Sequence, residues 1–266
     1  MKRSLRTLAE RDFRDPFRSR SAWPTLVLFA AVFGLFVYAL GPSPGPSRPE
    51  FGQLLVAIVY FLVPLAALQF GYDRLSGPRQ TGEVRLLLAP PHSRRDLLLG
   101  TALGRSAFTA LVIVVGYLAA AAVFVVTVGL PAAMLTLGGL AAALGLGVAM
   151  TAIAVGASAA TATTARSGMV AIGAYFLFLL WDMVLFGLRF ALNGFSLPEG
   201  PQPAWAELLA ELSPMEAYMN LNASLFSGEV APDVVTASPP VAVALLVAWT
   251  VAPLLVGYAR LRAVDL

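Results

Sequence analysis

Residues 72–105 read YDRLSGPRQTGEVRLLLAPPHSRRDLLLGTALGR, with six arginines at Arg74, Arg79, Arg85, Arg94, Arg95 and Arg105. Apolar runs flank the stretch at residues 51–71 and 104–128. So many charges do not lie in hydrocarbon, so the flanks are two spans joined by a polar loop. Inside the loop, Thr81-Gly82-Glu83 opens a short apolar run, residues 84–89, which Pro90-Pro91 stops. Ser93 then precedes Arg94-Arg95-Asp96. This Ser-x-x-Asp pattern predicts a helix capped by Ser93 and running into the next span. A short helix, a break and a helix joined to a span have the form of a lever. The same pattern also suits a well-capped loop that only carries topological charge, and it leaves both readings open.

Working outward, four more apolar runs appear at residues 22–40, 132–160, 168–190 and 241–258. Each is long enough to cross a bilayer, which takes about 20 residues. The run at 132–160, continued through Thr164, exceeds one crossing and is expected to project or tilt. The run at 22–40 follows a basic N-terminus but is longer than a signal-peptide core and lacks an A-x-A site, so it reads as an uncleaved span. Across the 266 residues, 58% are hydrophobic, 12% are charged, and mean hydropathy is +0.78. Soluble domains run nearer half apolar and a quarter charged, so an ordinary soluble enzyme, a coiled coil and a disordered chain are excluded. The expected fold is all-α: a polytopic membrane protein of six transmembrane helices.

The bases set the topology. Sixteen of the 18 Lys and Arg residues fall on one side of a six-span arrangement, leaving Arg48 and Arg189 on the other. By the positive-inside rule, both termini are expected in the cytoplasm. The loop 193–238 is then external, with acids Glu199, Glu207, Glu211, Glu216, Glu229 and Asp233 and no base. Before the first span, residues 4–20 place Leu5, Leu8, Phe13 and Phe17 among arginines. That pattern fits an amphipathic helix on the inner leaflet, bent at Pro16, or else a plain basic topology signal. In the external loop, Ser213, Pro214 and Glu216 occupy N-cap, N1 and N3 positions of a helix that Gly228 can end, with a shorter helix at 204–212 before it.

The residues available for chemistry are few. There is no cysteine, one histidine (His92) and one lysine (Lys2). Thiol nucleophiles, Cys-ligated zinc, iron–sulfur clusters, multi-histidine metal sites and a Walker phosphate loop are excluded. The net charge of +3 would suggest nucleic acid in a soluble chain. In a membrane chain its distribution matters instead, and no nucleic-acid partner is expected. Asp182 is the only acid within a span, with Arg189 two turns later on roughly the same face. Together they form a candidate intramembrane polar site. Met215 and Met219 sit at i,i+4, a spacing that suits Cu(I) thioethers but more often reflects packing. Asn222-Ala223-Ser224 matches a glycosylation sequon. Gly138, Gly139, Ala142, Gly145, Gly147, Gly156 and Ala160 make the fourth run a helix that neighbours can approach closely.

The loop 72–105 resembles the second cytoplasmic segment of type-2 ABC transporter permeases. Gly77, Arg79, Gly82, Leu86, Leu87, Leu88, Pro91, Ser93, Arg94, Arg95, Asp96, Leu99, Gly100 and Gly104 carry the likeness. The basic N-terminal helix, six spans and external helices before the last span extend it over nearly the whole chain. It is most similar to the branch that includes permeases of nitrous-oxide-reductase maturation and archaeal exporters. Pro78 and Gln80 stand where the family has glutamates, Glu83 where it has Ser or Thr, and Thr101 where it has Lys. The acid has moved along the loop.

The resemblance implies a single transmembrane permease domain over residues 1–266. Its parts are an amphipathic helix (1–21), spans one to five (22–190) with a coupling loop (72–104), an external helical loop (191–240), and span six with its tail (241–266). It implies a plasma-membrane transport subunit without catalysis of its own. Two such subunits, identical or related, would dimerise in the lipid bilayer and pair with cytoplasmic ABC ATPases. ATP and Mg would sit on those partners, with no cofactor bound directly. Export would follow ATP-driven pressure on the coupling loop, where Gly82, Glu83, Arg85, Pro91, Ser93, Arg94 and Asp96 are the expected coupling residues. A secondary carrier without an ATPase, and a membrane anchor that moves nothing, are the competing classes. The sparse charges within spans argue against the carrier, and the lever-like loop against the anchor.

Overall fold

The computed structural model describes residues 2–41, 51–82, 93–198, 200–226 and 238–263. Every regular element among them is an α-helix. In chain order these are α1 (Lys2–Arg18), α2 (Ala22–Leu40), α3 (Phe51–Gly71), α4 (Ser76–Thr81), α5 (Arg94–Thr127), α6 (Ala133–Ala160), α7 (Thr164–Leu179), α8 (Trp181–Leu192), α9 (Ala204–Glu211), α10 (Pro214–Phe226) and α11 (Pro239–Arg262). Helices α2, α5, α6 and α11, with α3 continued through Thr81, are long and apolar enough to cross a membrane. The pair α7–α8 supplies the sixth span, bent by 73°. The six-span architecture therefore stands.

One element differs from the sequence reading. The run at 168–190 is not one straight helix, because the axis turns at Leu180 (φ −105°, ψ 21°). No proline or glycine marks the place. The turn is held by tertiary contact: the Trp181 indole N–H donates to the Leu209 carbonyl on α9 at 2.8 Å, and its ring lies against Phe178. As the Ser93 cap predicts, α5 begins at Arg94 and runs into the span, continuing unbroken for 34 residues. At 1.5 Å per residue it is about 51 Å long, well beyond a hydrocarbon core of about 30 Å.

Helix α6 is the hub, packed against α3, α5, α7, α10 and α11. Lipid is as apolar as leucine, so helices associate in it by close van der Waals fit, and small residues let backbones approach. The tightest crossing joins α6 to α11: a Cβ built on Gly257 would lie 2.8 Å from the Gly156 carbonyl oxygen and 3.0 Å from Ala159 Cβ. Gly71 gives α3 similar access, its Cβ position 2.7 Å from Ala154 Cβ. Phe33, Phe51, Leu55, Phe108, Ile113, Leu146 and Met150 fill the space between. Thr109 and Thr151 share a hydroxyl hydrogen bond of 3.0 Å inside it.

Gly257→Ala is expected to lower stability by about 1–3 kcal/mol, the usual cost of overpacking. Gly173→Ala, with nothing within 4 Å of its Cβ position, is expected to be neutral or slightly stabilising. Detergent-based unfolding titrations of the two variants check this.

Candidate functional site: the tied helix ends around residues 72–105

The α1 end of the bundle gathers the last turns of α3, α6 and α11 and the first turns of α5 and α7. Helix ends leave backbone N–H and C=O groups without intrahelical partners. Here, side chains from the recognisable loop supply many of those partners. Ser93 has extended backbone (φ −95°, ψ 158°), and its hydroxyl accepts from the Asp96 N–H at 3.0 Å, as the sequence predicts. Arg94 donates to the Leu261 and Arg262 carbonyls at 2.8 and 3.0 Å, capping the C-terminus of α11. Arg79 does the same for α6, donating to the Ala159 and Thr161 carbonyls at 2.9 Å each.

Further ties run in the other direction. The Gln80 side-chain oxygen accepts from the Thr164 N–H (3.2 Å) and hydroxyl (3.1 Å) at the start of α7. The Ser158 hydroxyl on α6 accepts from the N–H groups of Leu75 and Ser76, both at 3.0 Å. The Ser167 hydroxyl donates to the Tyr72 carbonyl. Gly82 ends α4 at φ +81°, a left-handed conformation that glycine adopts without steric cost.

Helix α1 is bound to the same knot. Gly100 and Gly104 form a groove on α5: their Cβ positions would lie 2.6 Å from Leu8 Cβ and 2.8 Å from Asp12 Cβ. Into that groove α1 lays Leu8, Asp12 and Pro16, while Arg6, Glu10, Arg14 and Arg18 face outward. One oxygen of Asp15 accepts from Arg105 at 2.7 Å and from Arg74 at 2.8 Å, joining α1 to α5 and to the end of α3. Burial alone would raise the Asp15 pKa, but its bonds and attraction to Arg105 and Arg74 outweigh that and hold it below the usual carboxylate range. The Arg105 side chain is only 2% exposed. Ser4 donates to Asp96 at 3.3 Å, a second link between α1 and α5.

Of the expected coupling residues, Ser93, Arg94 and Asp96 come together at the start of α5, and Gly82 sits at the end of α4. Glu83, Arg85 and Pro91, with the run 84–89 and His92, lie outside the described residues. Sequence reasoning missed the roles of Asp15, Arg74, Gln80, Arg105 and Ser158. Gln80 reads in sequence as a departure from a family glutamate. In space it keeps the oxygen acceptor that caps α7.

At the opposite end, α8, α9, α10 and α11 meet around residues 209–213. Besides the Trp181 bond, the Trp249 indole on α11 donates to the Leu212 carbonyl at 2.7 Å, and Asn220 donates to Glu211. The Ser213 hydroxyl accepts from the Met215 N–H at 3.2 Å, as a cap in this position should. Met215 is fully buried in the core while Met219 is partly exposed, which fits packing rather than a shared metal site. Asn222 is 3% exposed and donates to the Tyr218 carbonyl at 2.8 Å, so the sequon is closed to glycosylation in this fold. Asp182 is exposed in the first turn of α8. Arg189 follows seven residues later, a rise of about 10.5 Å, and lines a separate cleft. Glu216 is pushed up to about 7, first by burial and then by the nearby charges of Asp182 and Glu211. Between α3 and α7 runs an apolar groove of about 780 Å³, lined in part by Gln69, Tyr72, Met169, Ile172, Tyr175 and Phe176.

An all-helical domain with candidate spans for six crossings, its helix ends laced together on one side, has the architecture that the sequence resemblance implies. The chain belongs to the ABC-2 transporter family: the model described as "ABC-2 family transporter protein" matches residues 6–266. Two relatives bear the name "Probable ABC transporter permease protein NosY". The Pseudomonas aeruginosa protein is 29% identical over 264 residues, covering 95% of this chain and 94% of its own. The Stutzerimonas stutzeri protein is 31% identical over 272 residues, covering 96% of each. The family and its likeness to NosY permeases agree with the sequence resemblance.

Two outcomes follow from this geometry. Asp15→Ala leaves the buried Arg105 without its acid and is expected to cost about 2 kcal/mol in a denaturation titration. For Glu216, whose folded pKa is raised, the ionised form is the disfavoured one. Stability should fall as pH rises from the ordinary carboxylate range to about 7 and then level off. Glu216→Gln should flatten that part of the pH–melting curve.

Proposed function

We propose that this chain is the membrane subunit of an ATP-driven exporter, paired with a second permease subunit and coupled to a separate cytoplasmic ABC ATPase. The observation that carries the reading is the knot of helix ends. Arg79, Gln80, Ser93, Arg94 and Asp15 tie α1, α3, α5, α6, α7 and α11 at the segment that the family uses for coupling. A push on that segment reaches these helices together, because few of their ends are free to yield separately. Glu83, Arg85 and Pro91 are the residues we assign to contact with the ATPase. Gly82, Ser93, Arg94 and Asp96 transmit the push. ATP and Mg bind on the partner.

The α1 end faces the cytoplasm in this reading, which puts both termini inside the plasma membrane. Cysteine scanning tests the orientation directly, since the chain has no native cysteine. Ser196→Cys is expected to react with a membrane-impermeant maleimide from outside intact cells, and Ser19→Cys only after lysis.

Co-purification of the full chain with its ATPase is the test of coupling. Glu83→Ala with Arg85→Ala is expected to reduce recovery of the ATPase, or to leave it bound with ATP hydrolysis no longer responsive to the permease. Transport by the chain alone in vesicles, without ATP or partner, would reject the proposal in favour of a secondary carrier.

A further inference from the structure

The end of α8 is unusually well fixed. Gly194 (φ +65°) donates to the Ala191 carbonyl at 3.2 Å, Phe195 donates to the Phe190 carbonyl at 2.9 Å, and the Phe190 and Phe195 rings meet edge-on at 5.8 Å. This is the Schellman arrangement with its apolar contact. Phe195 itself has φ +61°, which is costly for a bulky residue. Asn193 N–H takes the Arg189 carbonyl at 2.9 Å, so the last carbonyls of α8 are satisfied without the Arg189 side chain. The side chain instead lines a cleft of about 320 Å³ with Asn193, Pro201, Pro203 and Trp205. Among the described residues, no hydrogen bond or ion pair engages its guanidinium.

Two features say what enters. Arg189 is the only base among the described residues at this end, where Asp182, Glu207, Glu211 and Glu216 repel anions elsewhere. Leu192 in the cleft wall is 69% exposed, and in the segment that follows it Phe195 is 74% and Leu197 71% exposed, apolar surface that water would not favour. A tryptophan at the rim suits the headgroup level of a bilayer. We infer that the Arg189 cleft holds the phosphate of a phospholipid whose acyl chains lie over Leu192, Phe195 and Leu197. A guanidinium recognises phosphate through paired hydrogen bonds, and the lipid so held fixes α8 in the headgroup plane. With the orientation proposed above, this is the outer leaflet. The site itself does not depend on that assignment, which the cysteine labelling reads separately.

The test uses the full chain in mild detergent, with phosphatidylglycerol titrated and bound lipid counted by native mass spectrometry. Arg189→Gln is expected to weaken the tightest phosphatidylglycerol site by about tenfold, the loss of a charge-assisted contact, and Arg189→Lys to weaken it less. Unchanged binding in Arg189→Gln overturns the inference. Displacement of the lipid by millimolar inorganic phosphate marks a free-anion site and overturns it too. A measurement without altering Arg189 guards against misfolding: brominated phosphatidylglycerol should quench the share of fluorescence that Trp205→Phe removes. Absence of that quenching also counts against the site.

Discussion

A buried backbone group without a partner is expensive, and a helix end is where such groups collect. The organisation of this bundle at the α1 end follows from how that cost is met. Arg94 spends its guanidinium on the last carbonyls of α11, and Arg79 on those of α6. Ser93 and Gln80 supply acceptor oxygens for the first N–H groups of α5 and α7. In each of the arginine and glutamine ties, the residue that caps a helix belongs to a different helix or its flank. Capping, usually a local matter, has here become the tertiary structure. The arginines of the basic loop thus lock the helices together.

For the coupling role proposed above, this arrangement means that the loop need not be stiff by itself. Helix α5 carries Ser93, Arg94 and Asp96 at its tip and runs unbroken for 34 residues. Its groove of Gly100 and Gly104 receives α1, and Asp15 closes the contact against Arg105 and Arg74. Displacing the tip therefore displaces the amphipathic helix, the end of α3 and the end of α11 in one motion.

Much of this was legible in sequence, where the signal is local. The six apolar runs, the Ser93 cap, the amphipathic face of residues 4–20 and the Ser213 cap all rest on neighbours within a turn or two. The bend at Leu180 was not legible, because it depends on Trp181 reaching Leu209, 28 residues away, with no proline or glycine to announce it. The roles of Asp15 and Arg105 were hidden for the same reason: in sequence each is one charge among many, and only the packing of α1 on α5 makes them a pair. Gln80 misled in the opposite direction. Comparison with the family's glutamate emphasised the lost charge, while the structure uses the retained oxygen.

The bend has a consequence for the crossing itself. Helix α7 contributes 16 residues before the turn, about 24 Å of axial length, against a hydrocarbon core of about 30 Å. Its neighbour α6, at 28 residues and about 42 Å, is far longer than that core. Helix α7 alone therefore does not complete a crossing, and the rest falls to α8, whose axis is turned by 73°. The angle at Leu180 thus sets how much of the crossing the pair completes.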